Sequence, residues 1–124
     1  MRTTPWALAL TTPHDCPPPA DPCWDTWLTP EEIAYSRGFQ RAGEHLAARR
    51  AAKEAAAHLL GWPAAHAPWQ EMAVHRRPGS PPTLALRGHA AARRSELAVP
   101  CPGISLSHAR GYTAAFAWLP GGRP

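Results

Sequence analysis

Apolar and polar positions change their pattern along the chain, and each pattern predicts its own kind of element. The apolar run over residues 6–10 predicts a buried strand. The stretch from Thr29 to Glu32 is typical of a helix start, with Thr29 as N-cap and a proline next, and it predicts a helix over 30–37. A longer helix is predicted over about 41–60, because Gly61 is the residue type favoured just beyond a helix C-terminus.

The second half of the chain consists of shorter segments, several of which have the period of a strand. Within 103–108, isoleucine and leucine alternate with Ser105, Ser107 and His108, so one face is predicted to be apolar and the other polar. The predicted elements of this half are strands over 71–75, 83–86, 103–108 and 113–119, a turn over 78–82 and a short helix over 88–94. A strand followed by helices and then by mostly antiparallel strands predicts the α+β class, in a single domain over 1–124.

Proline sets the segment 11–27 apart. Proline lacks a backbone N–H and disrupts helices and interior strands, so we predict an irregular loop there and a flexible tail over 120–124. The loop holds His14, Asp15 and Cys16 side by side. An imidazole, an acid and a thiol at one centre form a reactive site, but neighbours in sequence rarely point at one centre. The alternative is an inert loop.

Composition limits the possible functions. Apolar residues make up 44% of the 124 residues, but many are alanine, so a thin core is predicted and association between subunits would add buried surface. A net charge of +4 favours acidic partners or phosphorylated ligands, and it is too small and scattered to indicate nucleic acid. The N-terminal apolar run is too short to span a membrane. Three cysteines without a Cys-x-x-Cys spacing predict reduced thiols in a cytoplasmic protein.

The long predicted helix carries the strongest chemical signal. With 3.6 residues per turn, Arg50, Glu54 and His58 lie on one face, and Arg49 and Lys53 lie on the adjoining stripe. A carboxylate among fixed cations suits a metal-bound polyphosphate, since the acid can hold the metal and the cations can hold the phosphates. The alternative is a solvated helix face with ordinary ion pairs one turn apart.

Four segments, at 28–35, 48–55, 84–90 and 104–108, together with the final strand, carry a further signal. Their more specific parts are the Lys-Glu-Ala at 53–55 and the Ser-Leu-Ser-His at 105–108. In order and spacing they resemble the small holo-acyl-carrier-protein synthase type of 4′-phosphopantetheinyl transferase. The resemblance implies antiparallel strands packed on the long helix and a trimer with three clefts, each built from two subunits.

The resemblance also implies a reaction. Mg²⁺ binds the diphosphate of coenzyme A, a serine of an acidic acyl carrier protein attacks the β-phosphate, and 3′,5′-ADP leaves. Glu54 matches the metal ligand on the helix, and Lys53 before it is expected to strengthen the positive field. His58 stands where the family has a lysine that is expected to stabilise the leaving or attacking oxygen, so Glu54, Lys53 and His58 form the predicted catalytic set. Asp15 is the candidate for the second metal ligand.

The nucleotide end of the coenzyme is assigned by the same resemblance. Arg49 and His108 are expected to reach the 3′-phosphate. Arg50 and Ser107 are predicted to belong to the same coenzyme-binding set.

The N-terminal third departs from the family, which follows its first strand with a Gly-x-Asp-Ile-Val pattern and an arginine-containing helix. Two further hypotheses therefore stand beside the transferase. In the first, the fold is repurposed for a reaction on a carrier-bound or free metabolite of specialised, polyketide-type biosynthesis, and residues 14–16 are the candidate reactive site. Alternatively, the protein binds a carrier protein without turnover, using the basic residues Arg37, Arg41, Arg49 and Arg50.

Overall fold

The computed structural model describes residues 6–120, so the predicted flexible tail lies, apart from Pro120, outside the described residues. The described part is a mixture of helices and antiparallel strands, and the α+β prediction is confirmed. Its strands are β1 (Trp6–Thr11), β2 (Met72–His75), β3 (Thr83–Leu86), β4 (Gly103–Ala109) and β5 (Tyr112–Trp118). Its α-helices are α1 (Trp24–Trp27), α2 (Pro30–Arg37), α3 (Ala42–Leu59) and α4 (Gly88–Leu97).

A three-stranded antiparallel sheet in the order β1-β5-β4 packs on α3, and β2 and β3 form a separate two-stranded sheet. The contact with α3 is built from small residues. Alanines of β1 and β5 face alanines of α3, and all of them are buried (Ala7, Ala9, Ala115, Ala117, Ala51, Ala52, Ala55 and Ala56). Side chains of this size let the helix axis approach the sheet closely, which explains how a chain with few large apolar residues forms a packed core.

Local signals fix the ends of the central helices. Thr29 and Glu32 form a reciprocal capping box at the start of α2, as the sequence predicts. Gly61 follows α3 with a φ of +86°, a conformation that glycine adopts without strain. The β4–β5 turn uses Arg110 and Gly111, both at positive φ, which suits the twist of a two-residue hairpin.

The prediction of an irregular loop over 11–27 is wrong in two places. Pro13–Asp15 forms one turn of 3₁₀-helix, and Trp24–Trp27 forms the α1 turn. Burial of Trp24 explains the second: its indole is fully buried in a small cluster with Leu28 and Leu46, and its Nε1 donates to the Pro18 carbonyl at 3.0 Å. The prolines restrict the backbone of the loop, and the buried indole packs the loop against α3.

Two findings apply to the described residues as a whole, one on the helices and one on the cysteines. Within residues 6–120, every helix is too short or too polar to cross a lipid bilayer. Cys16, Cys23 and Cys101 are free thiols.

Candidate functional site

Arg49 and His108 come from distant parts of the sequence and line the same cleft. Arg49 projects from the middle of α3 and His108 from the end of β4, and both border a cavity of about 190 Å³. Tyr35, Arg49 and Arg76 also line a larger cleft of about 500 Å³ between α2, α3 and the β2–β3 hairpin. The two cavities therefore share one wall, which carries two arginines.

Arg49 is buried but incompletely bonded. Its side chain packs on the Tyr35 ring, with Cζ 4.6 Å from the centroid, and Nη1 donates to the His45 carbonyl at 3.2 Å. Its Nε has no hydrogen-bond partner among the described residues. Burial lowers the pKa of this guanidinium, but arginine starts so high that it keeps its charge. A buried cation with unused donors is suited to an anionic ligand.

His108 is held by an acid that the sequence did not single out. Its Nδ1 lies 2.7 Å from Glu44 Oε1, and Glu44 Oε2 accepts the Gly111 N–H at 2.6 Å. The His108 ring also lies 4.8 Å from the His45 ring, which stacks on Phe39 at 4.0 Å. The histidine is therefore fixed in place while its other nitrogen is not bonded within the described chain.

The predicted grouping of Ser105, Ser107 and His108 on one polar face is wrong. Successive side chains of a strand alternate between the two faces, so His108 shares a face with Ile104 and Leu106. That face turns toward α3, whereas Ser105 and Ser107 are exposed on the opposite face of the sheet. Ser107 is thus separated from the Arg49–His108 cleft by the sheet itself.

Glu54 and His58 are exposed on α3, one turn apart. Both line a cleft of about 420 Å³ beside the outer edge of β1 and the segment from Trp62 to Ala64. Glu54 also borders a neighbouring cavity together with Arg50 and Trp27. Within residues 6–120 its carboxylate makes no hydrogen bond or ion pair.

Arg50 is not the ion-pair partner of Glu54 that an ordinary helix face would provide. Its guanidinium lies 4.6 Å from the Trp27 ring and donates to Thr11 Oγ1 at 3.4 Å and to the Asp15 carbonyl at 3.3 Å. Arg50 therefore attaches the proline-rich loop to α3 at the end of β1. It also places a fixed positive charge one helical turn from Glu54.

Lys53, predicted to strengthen the positive field at the site, is a structural residue. Its side chain is fully buried, and Nζ donates to Glu32 Oε1 at 2.6 Å and to the carbonyls of Trp27 and Trp69 at 2.8 and 3.0 Å. These three bonds use all three ammonium protons. Burial lowers the pKa of Lys53, and the neighbouring Glu32 opposes that effect. The lysine has no donor left for a substrate.

Asp15 does not pair with Glu54 as the sequence suggested. Its carboxylate accepts the Thr12 hydroxyl at 3.1 Å on the exposed 3₁₀ turn, and Asp15 lines neither of the clefts that Glu54 lines. Residues 6–120 contain no group of three or more His, Cys, Asp or Glu side chains able to hold a metal ion. Of the two predicted metal ligands, only Glu54 has a carboxylate without a hydrogen bond or ion pair within residues 6–120. One carboxylate fits Mg²⁺ when phosphate oxygens and water supply the other ligands.

His14, Asp15 and Cys16 do not form a reactive triad. The Cys16 thiol donates toward the Gly43 and Pro17 carbonyls at 3.6 and 3.5 Å, while the Asp15 carboxylate is bonded to Thr12. Burial raises the pKa of the Cys16 thiol, which works against the thiolate that a nucleophile needs. The inert-loop interpretation fits this arrangement.

Glu54 and the Arg49–His108 pair lie on different sides of the subunit. Glu54 lies five positions after Arg49 on the helix, which is a rotation of about 140° around α3. Neither cleft lined by Glu54 includes Arg49 or His108. The described chain therefore brings Arg49 and His108 to one cleft and Glu54 to others.

Sequence reasoning missed four residues at the Arg49–His108 cleft: Tyr35, His45 and Arg76 line it, and Glu44 is bonded to His108. A weak signal existed for two of them. Glu44 and His45 precede Arg49 by five and four residues on the same predicted helix. Tyr35 and Arg76 come from other elements, and the sequence contains nothing that brings them to this cleft.

Comparison with known proteins gives a consistent result. No protein-family model matches the chain. The holo-[acyl-carrier-protein] synthase of Moorella thermoacetica is 40% identical over 90 residues, covering 73% of this chain and 70% of the relative. That of Beutenbergia cavernae is 40% identical over 93 residues, covering 75% and 74%. Among solved structures, the Chronobacterium ammoniagenes ACPS–CoA complex superposes with a TM-score of 0.76 at 24% identity, covering 96% of this chain and 98% of that one.

Proposed function

The chain belongs to the holo-[acyl-carrier-protein] synthase family, and from this membership we propose that it transfers 4′-phosphopantetheine from coenzyme A to a serine of an acyl carrier protein. The observation that carries the proposal is the meeting of Arg49 and His108 at one cleft. These two residues come from separate matching segments, and their side chains suit the 3′-phosphate that distinguishes coenzyme A from most other nucleotides.

The chemistry assigned to this chain is mainly charge neutralisation. Attack of the carrier serine on the β-phosphate, with 3′,5′-ADP leaving, builds negative charge on phosphate oxygens, so fixed cations and accurate positioning supply the catalysis. Arg49 and His108 hold the nucleotide end. Arg50 and His58 flank Glu54 one turn before and after it on α3, where they face the diphosphate and the reacting oxygens.

Glu54 is the proposed holder of Mg²⁺. Its exposed carboxylate has no partner among the described residues and fits a metal that arrives with the diphosphate, and the bound metal would neutralise charge on that group. Asp15 is not included, because its carboxylate is bonded to Thr12 and does not share a cleft with Glu54. Lys53 and Ser107 are likewise left out, the first because its donors are all used and the second because it lies behind the sheet.

We further propose that the working form is a trimer with each site shared by two subunits. The outer face of β1 and β5 supports this, because it exposes four large apolar residues side by side. The exposed fractions are 52% for Trp6, 54% for Leu8, 69% for Leu10 and 38% for Phe116. An apolar face of this kind is typical of a protein interface. Trp6 and Leu8 of this face also line the Glu54 cleft, so a second copy packed there would lie beside Glu54.

The transfer itself is tested by intact mass. The protein is incubated with coenzyme A, Mg²⁺ and an apo acyl carrier protein, and the carrier gains the phosphopantetheine mass if the proposal is right. Glu54→Ala is expected to slow the reaction at least about a hundredfold. Glu96→Ala, which removes an exposed glutamate of α4 that borders none of these clefts, is the matched control.

Two other outcomes of that assay would support the competing hypotheses. Tight coenzyme A binding in calorimetry without any product supports a carrier-binding protein without turnover. Neither product nor coenzyme binding, with a known transferase working in the same assay, supports a repurposed fold.

Subunit sharing is tested by mixing two inactive variants, Glu54→Ala and His108→Ala. If each site takes one residue from each of two subunits, random mixed trimers regain activity in about a quarter of their sites. A site contained within one subunit would regain none, and that result would refute the shared cleft while leaving the transfer reaction intact.

A further inference from the structure

Glu44 does more than hold His108 in place, because its charge decides which nitrogen of the ring carries a proton. The Gly111 N–H and, after it, the bond to His108 keep the pKa of Glu44 below its ordinary value. An ionised carboxylate only accepts hydrogen bonds. His108 Nδ1, 2.7 Å from Glu44 Oε1, must therefore carry a proton.

The proton on Nδ1 has a consequence at the other nitrogen. A neutral imidazole carries one proton, so with Nδ1 protonated its Nε2 presents a lone pair to the cleft. A lone pair repels a phosphate oxygen. Nε2 becomes a donor only when the ring takes up a second proton and is positively charged.

The charged groups around His108 favour such an uptake when an anion is present. Arg49 and Arg76 line the same cleft, His45 packs on the ring, and Tyr35 closes the far side. In the free protein the two arginines oppose a further positive charge nearby, and burial together with His108 lowers the pKa of His45. A phosphate dianion placed among these groups cancels that opposition.

We propose that Glu44 couples the binding of the nucleotide's 3′-phosphate to the uptake of one proton from solvent by His108 Nε2. Glu44 thereby acts as a positioning residue. The inference rests on the proposed function, because it takes the ligand to be a nucleotide with a 3′-phosphate. No covalent bond changes: the proton moves from buffer to Nε2 on binding and returns to the buffer on release.

Calorimetry with two simple nucleotides measures this proton. Binding of 3′,5′-ADP and of 5′-AMP is recorded without Mg²⁺ at pH 8, in buffers of different ionisation enthalpy. The 5′-phosphate is common to both, and at this pH phosphate monoesters are already dianions. The expected difference is close to one extra proton taken up with 3′,5′-ADP, and none in His108→Ala.

Glu44→Gln separates the role of the charge from that of the hydrogen bond. The amide can donate to Nδ1, so the neutral ring can carry its proton on Nε2 and bind phosphate without taking up another. We expect Glu44→Gln to keep the affinity for 3′,5′-ADP at pH 8 within about threefold and to lose the extra proton. A purely structural role would change the affinity for both nucleotides and leave the proton count unaltered.

A measurement on the unaltered protein removes any dependence on how variants fold. Nitrogen-15 NMR of the His108 ring above pH 8 is expected to show the proton on Nδ1. A ring protonated on Nε2, an equal proton count for the two nucleotides, or no binding of 3′,5′-ADP would each overturn the inference. If carrier modification is seen together with any of these results, the proposed function stands and the coupling alone is refuted.

Discussion

Lys53 and Glu54 are neighbours in sequence with opposite environments, and replacing each one should separate stability from function. Lys53 is buried with three hydrogen bonds, whereas Glu54 is exposed without a partner among the described residues. Lys53→Met keeps an unbranched side chain, one atom shorter, and removes its charge. It leaves the Glu32 carboxylate buried without its cation, and it leaves the Trp27 and Trp69 carbonyls without this donor.

The structure allows the size of the effect to be worked out. Breaking one side of a buried ion pair usually costs about 3–5 kcal/mol. Glu32 keeps hydrogen bonds from the backbone N–H groups of Thr29 and Val74, at 2.7 and 2.6 Å, so its carboxylate is not left without donors. The free energy of unfolding should therefore fall by about 3 kcal/mol, at the lower end of that range. This is a large share of the 5–15 kcal/mol that typically stabilises a domain. Glu54→Gln should change stability by less than about 0.5 kcal/mol.

Urea unfolding followed by tryptophan fluorescence measures both variants, at one fixed protein concentration because association stabilises the native state. Adding Glu32→Gln to Lys53→Met removes the stranded charge and should recover part of the loss. The matched functional readout is carrier modification per folded molecule, which should fall in Glu54→Gln and change little in Lys53→Met. If Lys53→Met lost less than about 1 kcal/mol and yet abolished transfer, the structural assignment of the lysine would be refuted.

Three further predictions concern other parts of the molecule. His58→Lys should raise the transfer rate severalfold, because it places a compact ammonium beside the reacting phosphates, and initial rates by intact mass would show whether it does. Gly103→Ala should destabilise the fold by about 1–3 kcal/mol in urea unfolding, because a Cβ there would lie 2.5 Å from the Trp118 indole. The unaltered protein should be more stable than Glu44→Gln, and this advantage should be full above the ordinary carboxyl pKa of 4.5 and shrink as the pH falls through the lower pKa of the folded state. Urea unfolding between about pH 6 and pH 3 measures it. A difference in the free energy of unfolding that stays constant over this range would contradict the prediction.

The sequence predicted the elements well wherever a local signal fixed them. The Thr29–Glu32 capping box gave the start of α2, and Gly61 gave the end of α3 to within a residue or two. α4 runs three residues beyond its predicted end and closes on Ala98 in the left-handed conformation, for which the sequence carries no glycine signal. α1 was missed because its cause is the burial of Trp24 against distant residues.

The site was predictable only in part, for reasons that differ from residue to residue. Arg49 and His108 were brought together correctly through the resemblance, whereas the pairing of Ser107 with His108 broke the two-residue period of a strand and could have been excluded from the sequence. Lys53 could not have been assigned in that way. Its burial depends on Glu32, which lies 21 residues away, and on two backbone carbonyls that no sequence pattern marks.

The departures from the family gather at the end of β1, and together they change the electrostatics around Glu54. Thr11, the last residue of β1, is buried and contacted by the Arg50 guanidinium. Asp15 lies on the next turn with its carboxylate bonded to Thr12, and its backbone carbonyl accepts from the same arginine.

Glu54 is thus a single carboxylate with a fixed cation one turn away. A divalent ion gains little from such a site on its own, because one acid is offset by one arginine. A nucleotide diphosphate reverses this balance, since its oxygens supply the missing negative charge and the arginine then attracts the complex. Metal and nucleotide are therefore expected to bind as a unit.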